Sequence, residues 1–237
     1  MAKQTIRIGI ELDHIIRNIN KQIAKYYQQD YDGSIDLDEL DYKDDILRDI
    51  CEFESDEEQA EFLYIKYPYE VFGCANECEK FLARDLNSWM KELLNQEEYD
   101  FELFIYSMKE FDLTIASTYF FLSKIGIRIR EVRMPRNYDE LSSLADVFIT
   151  ADPKVAKFKD KGTIVIRNNF NQEAQENGNV VYDSFRHFLD EDNKIKIITG
   201  CLKAEKQQNT GLCGVWTWTK SVLSSLTKVL KAKLRLS

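Results

Sequence analysis

With 237 residues, 44% of them hydrophobic, the chain is long enough to bury one substantial core with a smaller insertion beside it, and only 3 prolines and 9 glycines exclude a collagen-like, disordered or turn-dense all-β protein. The net charge of −9 is unevenly spread: Lys206, Lys220, Lys228, Lys231, Lys233 and Arg235 stand with no acid from residue 206 onward, which leaves −15 on residues 1–205. A body this acidic excludes general nucleic-acid binding, which needs Lys and Arg clustered against phosphates.

No apolar run reaches signal-peptide or membrane-span length, since the first strand-like stretch is interrupted by Arg7 and ends in Glu11 and Asp13. Five cysteines at irregular positions (Cys51, Cys74, Cys78, Cys201, Cys213) do not form a disulfide framework. The expectation is a soluble, cytoplasmic protein with reduced thiols. Its Lys, Asn and Ile usage suits an AT-rich bacterial or phage gene.

In chain order, Ile6, Ile8, Ile10 and Leu12 alternate around the small Gly9, which predicts a strand over residues 6–12 buried on both faces. Ile15, Ile16, Ile19, Ile23, Tyr26 and Tyr27 then recur at helical spacing, predicting a helix that starts at once. From residue 30 to about 100 the composition turns to carboxylates, tyrosines and helical patches such as Phe81, Leu82, Leu86, Trp89, Met90 and Leu93, read as a helical insertion. Strand and helix patterns alternate afterwards. Strands are predicted over residues 101–107, 128–132, 146–150, 163–167 and 180–182, with helices over 113–124, 138–144 and 184–189. Such alternation implies right-handed crossovers and a parallel sheet, an α/β fold. Residues 171–179 and 207–214 read as loops. Beyond them Val222, Leu223, Leu226, Val229, Leu230 and Leu234 form an apolar stripe among basic residues, a basic amphipathic C-terminal helix.

A strand ending in one acid, with a second acid two residues on and a helix following, lets alternate carboxylates converge at a strand's C-terminal edge. Here that run is Ile8-Gly9-Ile10-Glu11-Leu12-Asp13-His14-Ile15-Ile16. It resembles the first motif of the haloacid-dehalogenase-like (HAD-like) superfamily, especially its deoxyribonucleotidase-like branch, in which a strand feeds Asp-x-Asp-Gly-Val into a helix and a helical cap follows. The resemblance implies a Rossmannoid parallel sheet with a cap insertion over residues 29–100 inside a 1–205 domain, and a separate 206–237 linker and helix. It puts Glu11 at the nucleophile position, Asp13 at the acid/base position, and His14 where the family usually has Gly. Ser107, ending Leu103-Phe104-Ile105-Tyr106-Ser107, matches the phosphate-binding second motif; Lys124 and Arg136 are candidates for the third, and neither aligns with it.

Two departures bear on activity. Glu11 carries one methylene more than the expected Asp, and in-line attack tolerates little displacement, about 1 Å costing on the order of a hundredfold. The fourth motif should end a strand in two Mg²⁺-holding acids, but the chain reads Val147-Phe148-Ile149-Thr150-Ala151-Asp152-Pro153, with Thr150 and Ala151 in place of the pair and Asp152 one position late.

The plainer readings differ. Glu11 and Asp13 can be polar residues at a strand end or a helix cap, and Asp152-Pro153 an N-cap followed by Pro at the first helical position. His14 and His187 lie too far apart in sequence to suggest a pair, and Cys74-x-x-x-Cys78 lacks a second zinc-binding pair. Asp30-x-Asp32-Gly33 starts like a calcium loop, but Ile35 and Asp41 occupy the positions needing Gly and Glu. The aromatic residues Phe62, Tyr64, Tyr67, Tyr69 and Phe72 read as core and interface surface.

The resemblance, with its departures, implies a catalytically inactive HAD-like binding or structural module with no cofactor and a vestigial cleft of Glu11, Asp13, Ser107, Thr150, Ala151 and Asp152. The alternative is an Mg²⁺-dependent phosphatase or nucleotidase acting on a small phosphomonoester, with metal ligands drawn from Glu11, Asp13 and Asp152. The expected partner is a protein met by the C-terminal helix through Trp216, Trp218, Lys220, Lys228, Lys231, Lys233 and Arg235; an anionic membrane surface is the other contact such a helix can make.

Overall fold

The computed structural model describes residues 3–31, 34–110, 112–175 and 179–208. The C-terminal helix and the partner-binding residues expected on it lie outside them. Six strands form one parallel sheet in the order β5-β4-β1-β6-β7-β8. They are β1 (Gln4–Glu11), β4 (Tyr99–Tyr106), β5 (Val132–Arg133), β6 (Val147–Thr150), β7 (Gly162–Ile166) and β8 (Val180–Tyr182). The chain builds outward on one side of β1 as far as β5, then crosses to the other side for β6, β7 and β8. This is a Rossmann-like α/β arrangement.

β1 holds the centre because both its faces are covered, the one carrying its isoleucines and the one carrying the small Gly9. Ile6, Ile8 and Ile10 are fully buried, and β1 pairs along its whole length with β4, from Gln4 opposite Tyr99 to Glu11 opposite Tyr106. Gly9 is required between them: a Cβ there would stand 2.9 Å from the Phe104 ring and 3.1 Å from that of Phe148. Of the strand expected over 128–132 only Val132 joins the sheet, forming its edge together with Arg133 just beyond. The preceding stretch places Arg128 and Arg130 in solvent, so burial favours no longer pairing there.

The helix after β1 starts later than its apolar spacing suggests. α1 spans Asn20–Tyr31, while Leu12 to Ile19 form a compact turn in which the Leu12 carbonyl accepts from the amides of both Ile16 and Arg17. Ile15, Ile16 and Ile19 are buried all the same. A turn that folds back on itself satisfies the same apolar spacing as a helix would.

Between β1 and β4 the chain is chiefly helical: α2 (Ile46–Asp49), α3 (Asp56–Glu61), two π-helical turns (Phe62–Lys66 and Tyr69–Gly73) and α4 (Leu82–Leu94). One two-residue ladder ties this stretch to the turn after β1, with β2 (Arg17–Asn18) antiparallel to β3 (Asn76–Glu77). Ser55 caps α3 by accepting from the Glu58 amide at 3.1 Å. Phe62, Tyr67 and Phe72 are buried and join Tyr27 in the main core, as expected for core aromatics, whereas Tyr69 is exposed.

α5 (Ile115–Ile125), α6 (Tyr138–Leu144) and α7 (Phe185–Leu189) complete the crossovers, α7 setting Phe188 edge-on against Trp89 of α4 at 5.4 Å. α8 (Lys194–Gln208) follows, so that a helix occupies the first two positions of the loop expected at 207–214. Among the described residues no helix is long and apolar enough to cross a membrane.

Candidate functional site

In an open parallel sheet, ligand sites favour the C-terminal edge where the strand order reverses, because the crossovers there diverge to opposite faces and leave a crevice. Here the reversal lies between β1 and β6. β1 delivers Glu11 and, past its end, Asp13; β4 leads to Ser107; and β6 delivers Thr150, Ala151 and Asp152. The structure therefore brings together the six residues expected at the cleft, in two groups that share the charge of Lys109.

The first group is built on Glu11. One carboxylate oxygen, Oε2, accepts from Thr150 Oγ1 at 2.6 Å, the Ala151 amide at 2.7 Å and the Asp152 amide at 3.1 Å. The extra methylene of Glu11 lets it reach across to β6 and cap that strand's end. Thr150 stands where the resemblance expects a metal-holding acid, and instead donates to Glu11. Burial, followed by the nearby Asp152 charge, raises the Glu11 pKa to about 7, against the pull of Thr150, Ala151 and Lys109. Asp152 is itself occupied: its two oxygens accept from the Lys154 amide at 2.7 Å and from Tyr138 Oη at 2.8 Å. The Lys154 contact closes a local turn and is not the N-cap read for Asp152: the helical turn that follows spans Val155–Lys157 with Lys154 at its N-cap, so Pro153 is not its first residue.

The second group is built on Asp13, which is almost wholly buried. Ser107 Oγ donates to its Oδ2 at 2.8 Å, and Arg17 Nε donates to Oδ1 at 2.9 Å. Arg17 has no exposed surface. Its remaining donors reach Glu110, Thr118 Oγ1 at 3.0 Å and the Phe72 carbonyl at 3.3 Å, while Thr118 Oγ1 donates in turn to Glu110 Oε2 at 2.6 Å. Phe72 and Phe121 pack against the guanidinium at 5.1 and 5.6 Å. Burial pushes the Asp13 carboxyl up, but Arg17, Lys109 and the Ser107 hydrogen bond together outweigh it and hold the pKa below the ordinary value. Asp13 is thus an ionised partner in a buried network, ill-suited to carry a proton for a leaving group.

No family model matches this chain, and neither does any curated protein.

His14 and Lys109 close the site on one side. His14 has φ +66°, in the left-handed region where a side chain is disfavoured, which gives a physical reason for a Gly at that position in the resemblance. Its Nδ1 lies 2.9 Å from the Tyr42 carbonyl, which can only accept, so Nδ1 carries the proton and Nε2 accepts from Lys109 Nζ at 2.7 Å. Burial and the adjacent Lys109 lower the His14 pKa to about 4, keeping it neutral. Lys109 is the cation whose charge bears on Glu11, Asp13 and His14 together. Neither third-motif candidate is placed that way. Lys124 Nζ is bound to the Gly73 and Ala75 carbonyls, and Arg136 is exposed, its amide donating to Glu140.

Arg17, Lys109, Glu110 and Thr118 are the site residues that sequence reading missed. Arg17 left one signal, a cation four residues after Asp13 inside the apolar run Ile15-Ile16-Arg17-Asn18-Ile19. The others left none, since their roles arise only through space.

The donor set does not fit the Mg²⁺ that a HAD phosphatase uses. Among the described residues no group of three His, Cys, Asp or Glu side chains is placed to hold a metal ion. Both Asp13 oxygens and one Glu11 oxygen already accept protein donors, and an octahedral hard cation needs oxygen charge free to face it. Beside this site lies a cleft of about 290 Å³, lined in part by Ile19, Leu63, Phe72 and Lys109.

Proposed function

We propose that this chain is a HAD-like domain whose phosphatase constellation has become internal structure, and that it acts by binding rather than by turnover. The carrying observation is that both motif acids are engaged within the protein, Asp13 through both its oxygens and Glu11 through one. Asp13 is held by Arg17 and Ser107, and Glu11 by Thr150 and the two amides after it. A nucleophile must present a free oxygen in line with phosphorus, and a general acid must hold a proton at working pH. Asp13 holds no proton to give, and Glu11 is anchored through Oε2 to the end of β6 with its pKa raised to about 7, so that its other oxygen belongs to a carboxyl that is partly protonated near neutral pH and a poor nucleophile.

A role through contacts with another protein is supported by the outer side of α5: the helix buries Ser117, Thr118, Phe121 and Leu122 and leaves Ile115, Tyr119 and Phe120 exposed, Phe120 packed beside the exposed Tyr69. The reading is tested with a broad phosphomonoester panel in Mg²⁺. No phosphate release above a buffer control is expected. Robust turnover that Asp13→Asn abolishes would overturn the proposal.

A further inference from the structure

The cleft beside the two acidic groups combines apolar walls with a cation whose hydrogen-bonding capacity is mostly unused. Ile19, Leu47, Leu63 and Phe72 supply the walls. Lys109 also lines it, and among the described residues its Nζ donates to the neutral His14 ring alone, which leaves two of its three N–H groups without a protein acceptor there. Arg48, the other cation at the cleft, is committed to Asp49 through two contacts at 2.7 and 2.9 Å.

We infer that this cleft binds a small monoanionic carboxylate with an apolar body, its carboxylate on Lys109 and its body against Leu47, Leu63 and Phe72. This rests on the non-catalytic reading in one respect, that Asp13 stays an anion locked to Arg17.

Three features select that class. A carboxylate offers paired acceptors to the two spare N–H groups, and an ammonium partly withdrawn from water rewards such a charged hydrogen bond. The space sets the size: about 290 Å³, at the ~30 Å³ that one water occupies in the liquid, holds a ligand of roughly ten non-hydrogen atoms. The surrounding field sets the charge. Asp13 and Glu11 already share the Lys109 charge and Asp45 lines the cleft, so a second negative charge on the ligand meets added repulsion. A phosphate dianion is therefore disfavoured against a carboxylate of the same shape.

The test uses the full chain and three probes: 3-phenylpropanoate, 3-phenylpropan-1-ol and inorganic phosphate, each titrated by calorimetry and protein NMR. Saturable one-to-one binding of 3-phenylpropanoate is expected, about tenfold tighter than the alcohol, with phosphate not competing. Lys109→Met should weaken the acid by about tenfold and leave the alcohol nearly unchanged. Leu47→Trp, at a half-buried position, should fill the cleft and remove binding of both; the Lys109→Arg variant, which keeps the charge, should retain preference for the acid. Folding of each variant is checked by its melting curve. The inference is overturned if 3-phenylpropanoate shows no saturation by about 10 mM, if acid and alcohol bind alike, if phosphate binds more tightly, or if neither Lys109→Met nor Leu47→Trp alters binding. Phenyl phosphate assayed on the same sample keeps the two proposals apart: its hydrolysis would refute the non-catalytic reading, whereas absent carboxylate binding without hydrolysis would refute this inference alone.

Discussion

Replacing Arg17 with Met is the most searching perturbation of the site. Methionine fills much of the same channel between Phe72 and Phe121, so the change removes charge and donors with little loss of volume. Asp13 and Glu110 are left buried without their cation, and the Phe72 carbonyl and Thr118 lose a donor. Breaking a buried pair from one side costs about 3–5 kcal/mol, because the remaining charge stays desolvated. At roughly 2–4 °C per kcal/mol for a domain near 200 residues, the melting temperature should fall by roughly 6–20 °C. The pH dependence carries the sharper prediction. In the native protein the folded-state pKa of Asp13 lies below its unfolded value, so its contribution is present above that unfolded value and is lost as pH falls through the lower, folded one. Without Arg17, burial dominates and the Asp13 pKa should rise above its unfolded value, so that protonation relieves the variant on acidification. The stability gap, measured by urea unfolding, should be widest near pH ~7 and narrow toward pH ~4. Asp13→Asn combined with Arg17→Met should recover part of the loss. A gap under about 1 kcal/mol, or one that does not change with pH, would refute the network as described.

Two other substitutions probe neighbouring features. Glu11 is raised from 4.5 to about 7, so its stabilising contribution is complete below the unfolded value and is lost as pH rises through the folded one; Glu11→Gln should therefore reduce the loss of stability between pH ~5 and ~8 by at most ~3 kcal/mol, read from denaturant midpoints. An unaltered pH profile would count against a buried, ionisable Glu11. At His14, with its φ of +66°, Gly should be more stable than Ala by about 1 kcal/mol, since both remove the ring but only Gly relieves the backbone. Equal melting temperatures would mean that the turn relaxes.

Elements whose signals are local were legible in the sequence. α6 and β8 fall on the residues expected, because Asn137 caps α6 through the Glu140 amide and the β8 stretch Val180–Tyr182 follows a polar loop. The start of α1 was misread because Ile15, Ile16 and Ile19 meet the helical spacing from within a turn that hydrogen bonds around Leu12 define. α8 went unread although Ile195, Ile198, Cys201 and Leu202 recur at helical spacing and pack on the core. In the site, the acids and Ser107 were legible because they terminate strands, a position that sequence pattern marks. What became of those acids was not, since Arg17 reaches Glu110 across 93 residues and Glu11 reaches Thr150 across 139. Sequence spacing carries no record of such meetings.

The central placement of β1 has a consequence for how the chain is made. Synthesised before the other strands of its sheet, this strand stays unpaired on both edges until Tyr99–Tyr106 has emerged, and its second edge is covered only when Val147–Thr150 follows. Parallel pairings across such spans are slow to form and leave apolar strands open to wrong partners meanwhile. A nascent chain released before about residue 150 would carry Ile6, Ile8 and Ile10 on an unfinished edge, so shortened products should go to aggregates or proteases rather than persist as smaller folded forms.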